Sequence, residues 1–168
     1  ESQCAGFDAQ TGRLVMKASI PANAEDDLEW GYLAASGDKL VGSITRKGGN
    51  YRGDGGQWFE DFKKEETAKV VSDGLFVLDR KTGEKRWARE QGVVINSTIT
   101  VSGGIVYFVE SRNPAAKKSR QGRLQNEIRS EQYIVALNLD SGSFLWEKKA
   151  DFSKCEFTTY MSHHGDTL

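Results

Sequence analysis

Few residues in this chain are of types that do chemistry, and their spacing limits what they could do. The two histidines are adjacent, in His163-His164-Gly165-Asp166. Neighbours on a strand point to opposite faces, so the pair is poorly placed to chelate one metal, and a turn is expected there. Cys4 and Cys155 lie far apart and outside any metal-ligand spacing, so they read as structural thiols. Gly48-Gly49 and Gly53-x-Gly55-Gly56 have the composition of a phosphate cradle. No Gly-Lys-Ser/Thr follows them and no strand–loop–helix frame surrounds them, so they read as a loop. Asn96-Ser97-Thr98 meets the glycosylation pattern. The acids Asp8, Asp38 and Asp79 sit in turn-like sequence, where a carboxylate has an obvious task in bonding backbone amides. No catalytic residue, metal ligand or cofactor-binding residue is assigned on this basis.

Charge is informative at one place. Arg112, Lys117, Lys118, Arg120, Arg123 and Arg129 face only Glu127 and Glu131 within Arg112–Glu131, although the whole chain has a net charge of −1. Such a segment suits a protein or glycan partner of opposite charge. It does not suit nucleic acid, because no aromatic residue is interleaved for base stacking. A second segment, Arg46–Lys69, carries Tyr51, Trp58, Phe59 and Phe62. Rings beside cations make a contact surface, so the expected contact residues are Tyr51, Trp58, Phe59, Lys117, Lys118, Arg120 and Arg123. No stretch approaches the roughly 18 apolar residues of a membrane-spanning helix.

The elements that position these residues come from repetition. Leu78-Asp79-Arg80-Lys81-Thr82-Gly83-Glu84-Lys85-Arg86-Trp87 returns as Leu137-Asn138-Leu139-Asp140-Ser141-Gly142-Ser143-Phe144-Leu145-Trp146. A worn copy is Phe7-Asp8-Ala9-Gln10-Thr11-Gly12-Arg13-Leu14-Val15-Met16. Each is a strand, a tight turn and a strand: Asp or Asn bonds the turn, Thr or Ser follows, and Gly supplies positive φ. A second landmark, Ser36-Gly37-Asp38, recurs as Ser102-Gly103-Gly104 and in register as His164-Gly165-Asp166.

Calling the strand after the Thr-Gly turn A, the order predicts A at Leu14–Ala18, B at Trp30–Ala35, C at Lys39–Ile44 and D at Leu75–Asp79. The next unit has Lys85–Arg89, Ser97–Val101, Ile105–Glu110 and Tyr133–Asn138. Four short antiparallel strands repeated in this way predict an all-β chain, a β-propeller segment with four-stranded antiparallel blades and long C–D loop insertions. A β-sandwich also has short strands, but it does not explain one turn motif recurring at one place. The repeats exceed the roughly 40–50 residues of unelaborated propeller units, and the excess is the two insertions. Residues 1–168 read as part of one propeller, about two full blades with partial flanking blades, excerpted from a longer chain.

Asp79-x-x-Thr82-Gly83-x-x-x-Trp87 and Ala136-x-Asn138-x-x-Ser141-Gly142-x-x-x-Trp146 resemble the pyrroloquinoline quinone (PQQ)-type propeller repeat, roughly Ala-x-Asp-x-x-Thr-Gly-x-x-x-Trp. The resemblance spans nearly the whole chain outside the insertions. Val77 and Gly6 stand at the Ala position, Ser141 at the Thr position, and Met16 where Trp is the rule. That family includes quinoprotein dehydrogenases, which bind PQQ and calcium at the propeller axis, and cofactor-free binding propellers. The adjacent Cys-Cys pair common in the dehydrogenases has no counterpart here. The resemblance therefore implies a non-catalytic binding or scaffold module, periplasmic or secreted and without cofactor. The alternative is part of a PQQ-dependent dehydrogenase. It gives Asp8, Thr11, Gly12, Asp79, Thr82, Gly83, Trp87, Asn138, Gly142 and Trp146 a structural role, with both Trp rings expected to be largely buried against a neighbouring sheet.

Overall fold

The computed structural model describes residues 3–21, 28–46, 49, 69–155 and 159–168. A hairpin opens the chain: β1 (Gln3–Phe7) pairs antiparallel with β2 (Leu14–Ser19). Then β3 (Glu29–Ser36), β4 (Lys39–Thr45), β5 (Lys69–Asp79) and β6 (Lys85–Arg89) form an antiparallel meander. Three residues of β7 (Val93–Ile95) and a 3-10 turn at Asn96–Thr98 lead to a second meander. It consists of β8 (Thr100–Ser102), β9 (Ile105–Ser111), β11 (Gln132–Asn138) and β12 (Phe144–Ala150). Between β9 and β11 lie α1 (Pro114–Lys118) and the two-residue β10 (Arg123–Leu124). β7 pairs with both β5 and β9, which joins the two meanders.

The strand that follows each Thr-Gly or Ser-Gly turn pairs with the strand before it. β6 pairs with β5 and β12 with β11. The expected grouping, in which Leu14–Ala18 and Lys85–Arg89 open the next set of four, is therefore corrected. Each such strand closes the preceding sheet, so the two long insertions, expected between strands C and D, join the second and third strands of each set instead. The reason is local: so tight a turn returns the chain alongside the strand it has just left. Expected strand Ser97–Val101 is also corrected, being divided between the 3-10 turn and β8.

The three motif turns have one construction. The Asp8 Oδ1 accepts from the amides of Gln10 and Thr11 and from the Thr11 hydroxyl. Asn138 Oδ1 does the same for Asp140, Ser141 and the Ser141 hydroxyl. Asp79 Oδ1 accepts from the amides of Lys81 and Thr82. Gly12, Gly83 and Gly142 close the turns with φ of 68°, 74° and 69°. Each donates its amide to the carbonyl of the turn's own Asp or Asn, at 2.8–2.9 Å. A side chain in this left-handed region costs about 1–2 kcal/mol.

Period-two alternation on β5 fills two cores from one strand. Leu75 and Val77 join Val41, Val94, Val106, Phe108, Val135 and Leu137 between the meanders. Phe76 and Leu78 pack on the opposite side with Ala18, Ile20, Leu40 and Ile44, against the β1–β2 hairpin. Burial of each such side chain contributes about 1.5–3 kcal/mol. A third cluster, Val71, Val93, Ile95, Val109, Ala116, Leu124 and Ile128, lies at the other end of the strands. Ser43, Thr45, Ser72 and Asn96 form a buried neutral network there, in which Asn96 accepts from Ser43 and Ser72 and donates to Thr45. Asn96 is thus occupied and buried, which removes the glycosylation pattern from the surface.

Candidate interaction face

The β3–β4 and β5–β6 turns lie at one end of the first sheet, as the β8–β9 and β11–β12 turns do in the second. The β4–β5 and β9–β11 connections, which hold the two insertions, leave from the opposite end. Their described portions meet there. β10 pairs with the start of β5, Arg123 opposite Val70 and Leu124 opposite Lys69. The Val71 amide donates to the Gly122 carbonyl at 3.0 Å. Gly122 and Gly49 pass backbone to backbone, and a Cβ on Gly122 would overlap the Gly49 amide. Tyr51, Trp58 and Phe59, together with Phe62, lie outside the described residues.

The second insertion is a built structure. Asn113 caps α1 by accepting from the Ala115 amide at 2.9 Å. The other end of its side chain donates to the Glu127 carbonyl and the Ser130 hydroxyl. Ala116, Leu124 and Ile128 are buried in the third cluster and anchor an otherwise polar stretch. Replacing the insertion with a short turn would therefore remove core as well as surface.

An arginine follows directly on β4 and on β9, and each turns back onto a carboxylate. Arg46 Nε donates to both Asp73 carboxylate oxygens at 2.8 and 2.9 Å. Its terminal nitrogens reach the Ala116 and Lys117 carbonyls at 3.2 and 3.5 Å. A buried guanidinium thereby satisfies carbonyls at the C-terminal end of α1. Arg112 lies over the Tyr133 ring, 4.2 Å from its centroid, and bonds Glu110 and Glu147. Its hydrogen bonds to Glu147 push its pKa up, and the same bonds hold the Glu147 carboxyl below the ordinary range. Glu110 is fully buried and also accepts from Arg89 at 3.1 Å. The two arginines were visible as the first residue of each insertion, but nothing in their spacing marked the carboxylates they meet.

Six basic residues of the insertion therefore divide. Arg112 is held as described. Arg123 lies half-buried in β10, and Arg129 reaches the Ser153 carbonyl at 3.5 Å. Lys117, Lys118 and Arg120 are exposed. The acid Glu131 is paired with Lys149, which lowers its pKa. Arg120 and Lys118 point outward while Arg123 helps close the sheet edge, so the expected cluster of four is three exposed cations and one structural one.

At the opposite end the turns are linked ionically. Arg86 bonds Asp79 and Asp38, and Lys39 bonds Asp38 and Asp140 of the second sheet. Lys39 first, then Arg86, lowers the Asp38 pKa to about 2. Trp87 is half-buried and donates its indole N–H to the Leu139 carbonyl at 3.0 Å, with Gly142 against the ring. Gly83 instead faces the Lys17 carbonyl and Ala18, the indole being absent where Met16 stands. Trp146 is 40% exposed, a departure from the expected burial. It meets the Tyr107 ring, 6.0 Å away, and among the described residues no motif glycine packs on it as Gly142 packs on Trp87. His163 stacks on Tyr107 at 5.5 Å, while His164 sits in a turn, bridged to Thr167. Among the described residues no group of three His, Cys, Asp or Glu is placed to hold a metal ion.

No protein family and no curated protein matches the chain. Solved structures do. One is the quinohemoprotein alcohol dehydrogenase ADHIIG from Pseudomonas putida HK5, with a TM-score of 0.51 and 13% identity over 89% of this chain. The fold is that of a β-propeller segment. BamB from Moraxella catarrhalis also matches, with a TM-score of 0.24 and 14% identity over 89% of this chain. The chain spans 24% of the length of the dehydrogenase and 59% of that of BamB. Among the described residues no helix is long and apolar enough to cross a membrane.

Proposed function

We propose that residues 1–168 are part of one β-propeller that serves as a non-catalytic binding or scaffold module, and that partners meet it at the insertion end. The observation that carries this reading is the second insertion. It is capped by Asn113, joined to β5 through β10 and anchored by three buried side chains, and it holds Lys117, Lys118 and Arg120 in solvent. A rigid scaffold that presents a structured, charged connection is the common arrangement of a binding loop. At the turn end, Lys39 and Arg86 are taken up in the chain from Asp79 to Asp140. The exposed cations Arg13, Lys81 and Lys85 lie there on simple turns and strand ends, with no built insertion beneath them among the described residues. Placement in the periplasm or outside the cell, without PQQ or calcium, belongs to the same reading and rests on the repeat resemblance.

The test is site-specific photo-crosslinking in the source cells. A photoreactive residue replaces Lys118 or Gln121 at the insertion end, and Arg13 or Lys81 at the turn end, all exposed. Specific adducts are expected from the first pair. Adducts from the turn end alone would refute the assignment of the face. Dye-linked alcohol oxidation by the protein after addition of PQQ and calcium would refute the non-catalytic reading.

A further inference from the structure

We infer that the partner of the insertion end is an acidic polypeptide segment, received by Lys117, Lys118 and Arg120. This rests on the reading of that end as the contact face. Two of these cations occupy the last turn of α1 and the third lies just beyond its Ser119 cap. A helix C-terminus ordinarily repels anions through its free carbonyls. Here the Ala115 carbonyl is taken by the Ser119 amide, and those of Ala116 and Lys117 by Arg46. The negative end of the helix is thus covered from beneath by a buried cation, and the exposed side stays positive.

Neighbouring carboxylates do little to cancel it. Asp73 is engaged by Arg46, Glu147 by Arg112, and Glu131 by Lys149. Among the described residues two acids remain near: Glu90, whose carbonyl accepts from Lys117 at 3.4 Å, and the half-buried Glu127. Neither has an ion pair with the three cations among the described residues. A sugar partner calls for an exposed ring against which to stack. The second insertion contains no aromatic residue, and the nearby Tyr133 ring is covered by Arg112 and Lys149. Cations with no ring in their own segment fit carboxylates on a flexible chain better than they fit a glycan.

The experiment measures association of the chain with immobilised poly-L-glutamate, and in parallel with heparin, at about 0.05 M salt, where exposed charges are weakly screened. Charge reversal at the three positions, K117E/K118E/R120E, is expected to slow association with polyglutamate about tenfold or more, because exposed charges act chiefly on the on-rate. A control with the same change in net charge at the turn end, R13E/K81E/K85E, is expected to alter it less than about twofold. All six side chains are exposed, and circular dichroism verifies the fold of each variant. Equal slowing by both triples, no association of the unmodified chain, or faster and triple-dependent association with heparin would each overturn the inference. Crosslinks at Lys118 or Gln121 with such a result would leave the binding face standing and remove only its acidic partner. Their absence would remove the face itself.

Discussion

Replacing Gly142 by Ala tests whether the repeated turn holds one sheet against the next. Gly83 and Gly142 occupy the same place in the motif and have nearly the same φ, 74° and 69°. Alanine at either meets the same left-handed strain, about 1–2 kcal/mol. Their surroundings differ. At Gly83 the new methyl finds ordinary contacts at 3.6–4.0 Å, whereas at Gly142 it would lie 2.6 Å from the Trp87 ring. The ring must move, and its N–H bond to Leu139 is lost, for about 1 kcal/mol. Loss of part of the packed indole face adds about 1–2 kcal/mol, less than the full cost of deleting a buried Trp. Gly142→Ala is therefore expected to destabilise by about 3–5 kcal/mol and Gly83→Ala by about 1–2 kcal/mol. Urea unfolding followed by far-ultraviolet circular dichroism gives both values, and Trp87→Phe in each background tests the coupling. The two alanine variants agreeing within about 0.5 kcal/mol would refute the docking argument.

Three further outcomes are expected. Asp38→Asn lowers stability at neutral pH, and the deficit closes on acidification. A carboxyl whose folded pKa is depressed stabilises above its unfolded value near 4 and loses that contribution as pH falls through about 2, so the two proteins' thermal midpoints converge across that window. Asn96→Ala removes the centre of the buried neutral network and costs about 1–3 kcal/mol in denaturant unfolding, because Thr45, Ser43 and Ser72 keep polar atoms with fewer partners. Arg46→Met leaves the α1 carbonyls without their guanidinium and costs about 1.5–3 kcal/mol, with faster hydrogen exchange at the Ser119 amide than in the unaltered chain.

Much of the fold was legible because the motif turns are local. Asp8, Asp79 and Asn138 bond amides two and three residues on, and the following Gly takes the backbone angle that other residues resist. Those forces act within one window of sequence. Which sheet owns β6 and β12 is a question of hydrogen bonds across the turn, and the period-two pattern of Lys85–Arg89 fits either neighbour. β7 went unassigned because three apolar residues are too short to show a period. The candidate face was only half legible. Charge marked Arg112–Glu131, yet Ala116, Leu124 and Ile128 fall on three separate short elements, and only their assembly in space shows that they are anchors. Arg112 and Arg123 read as surface cations like Lys118, and burial separated them.

The pairing of β10 with β5 has a consequence for synthesis. β6 follows β5 within a few residues and covers its later half, and β7 covers Val71 and Ser72 soon after. Lys69 and Val70 wait for Arg123 and Leu124. At about 5–20 residues per second, a ribosome takes several seconds to deliver them. Throughout that interval the nascent chain carries an open strand end beside Val71, the kind of edge on which other chains add. The second insertion is therefore the piece that ends this exposure, and a stalled or truncated product lacking it would be prone to aggregate even though its earlier hairpins are complete.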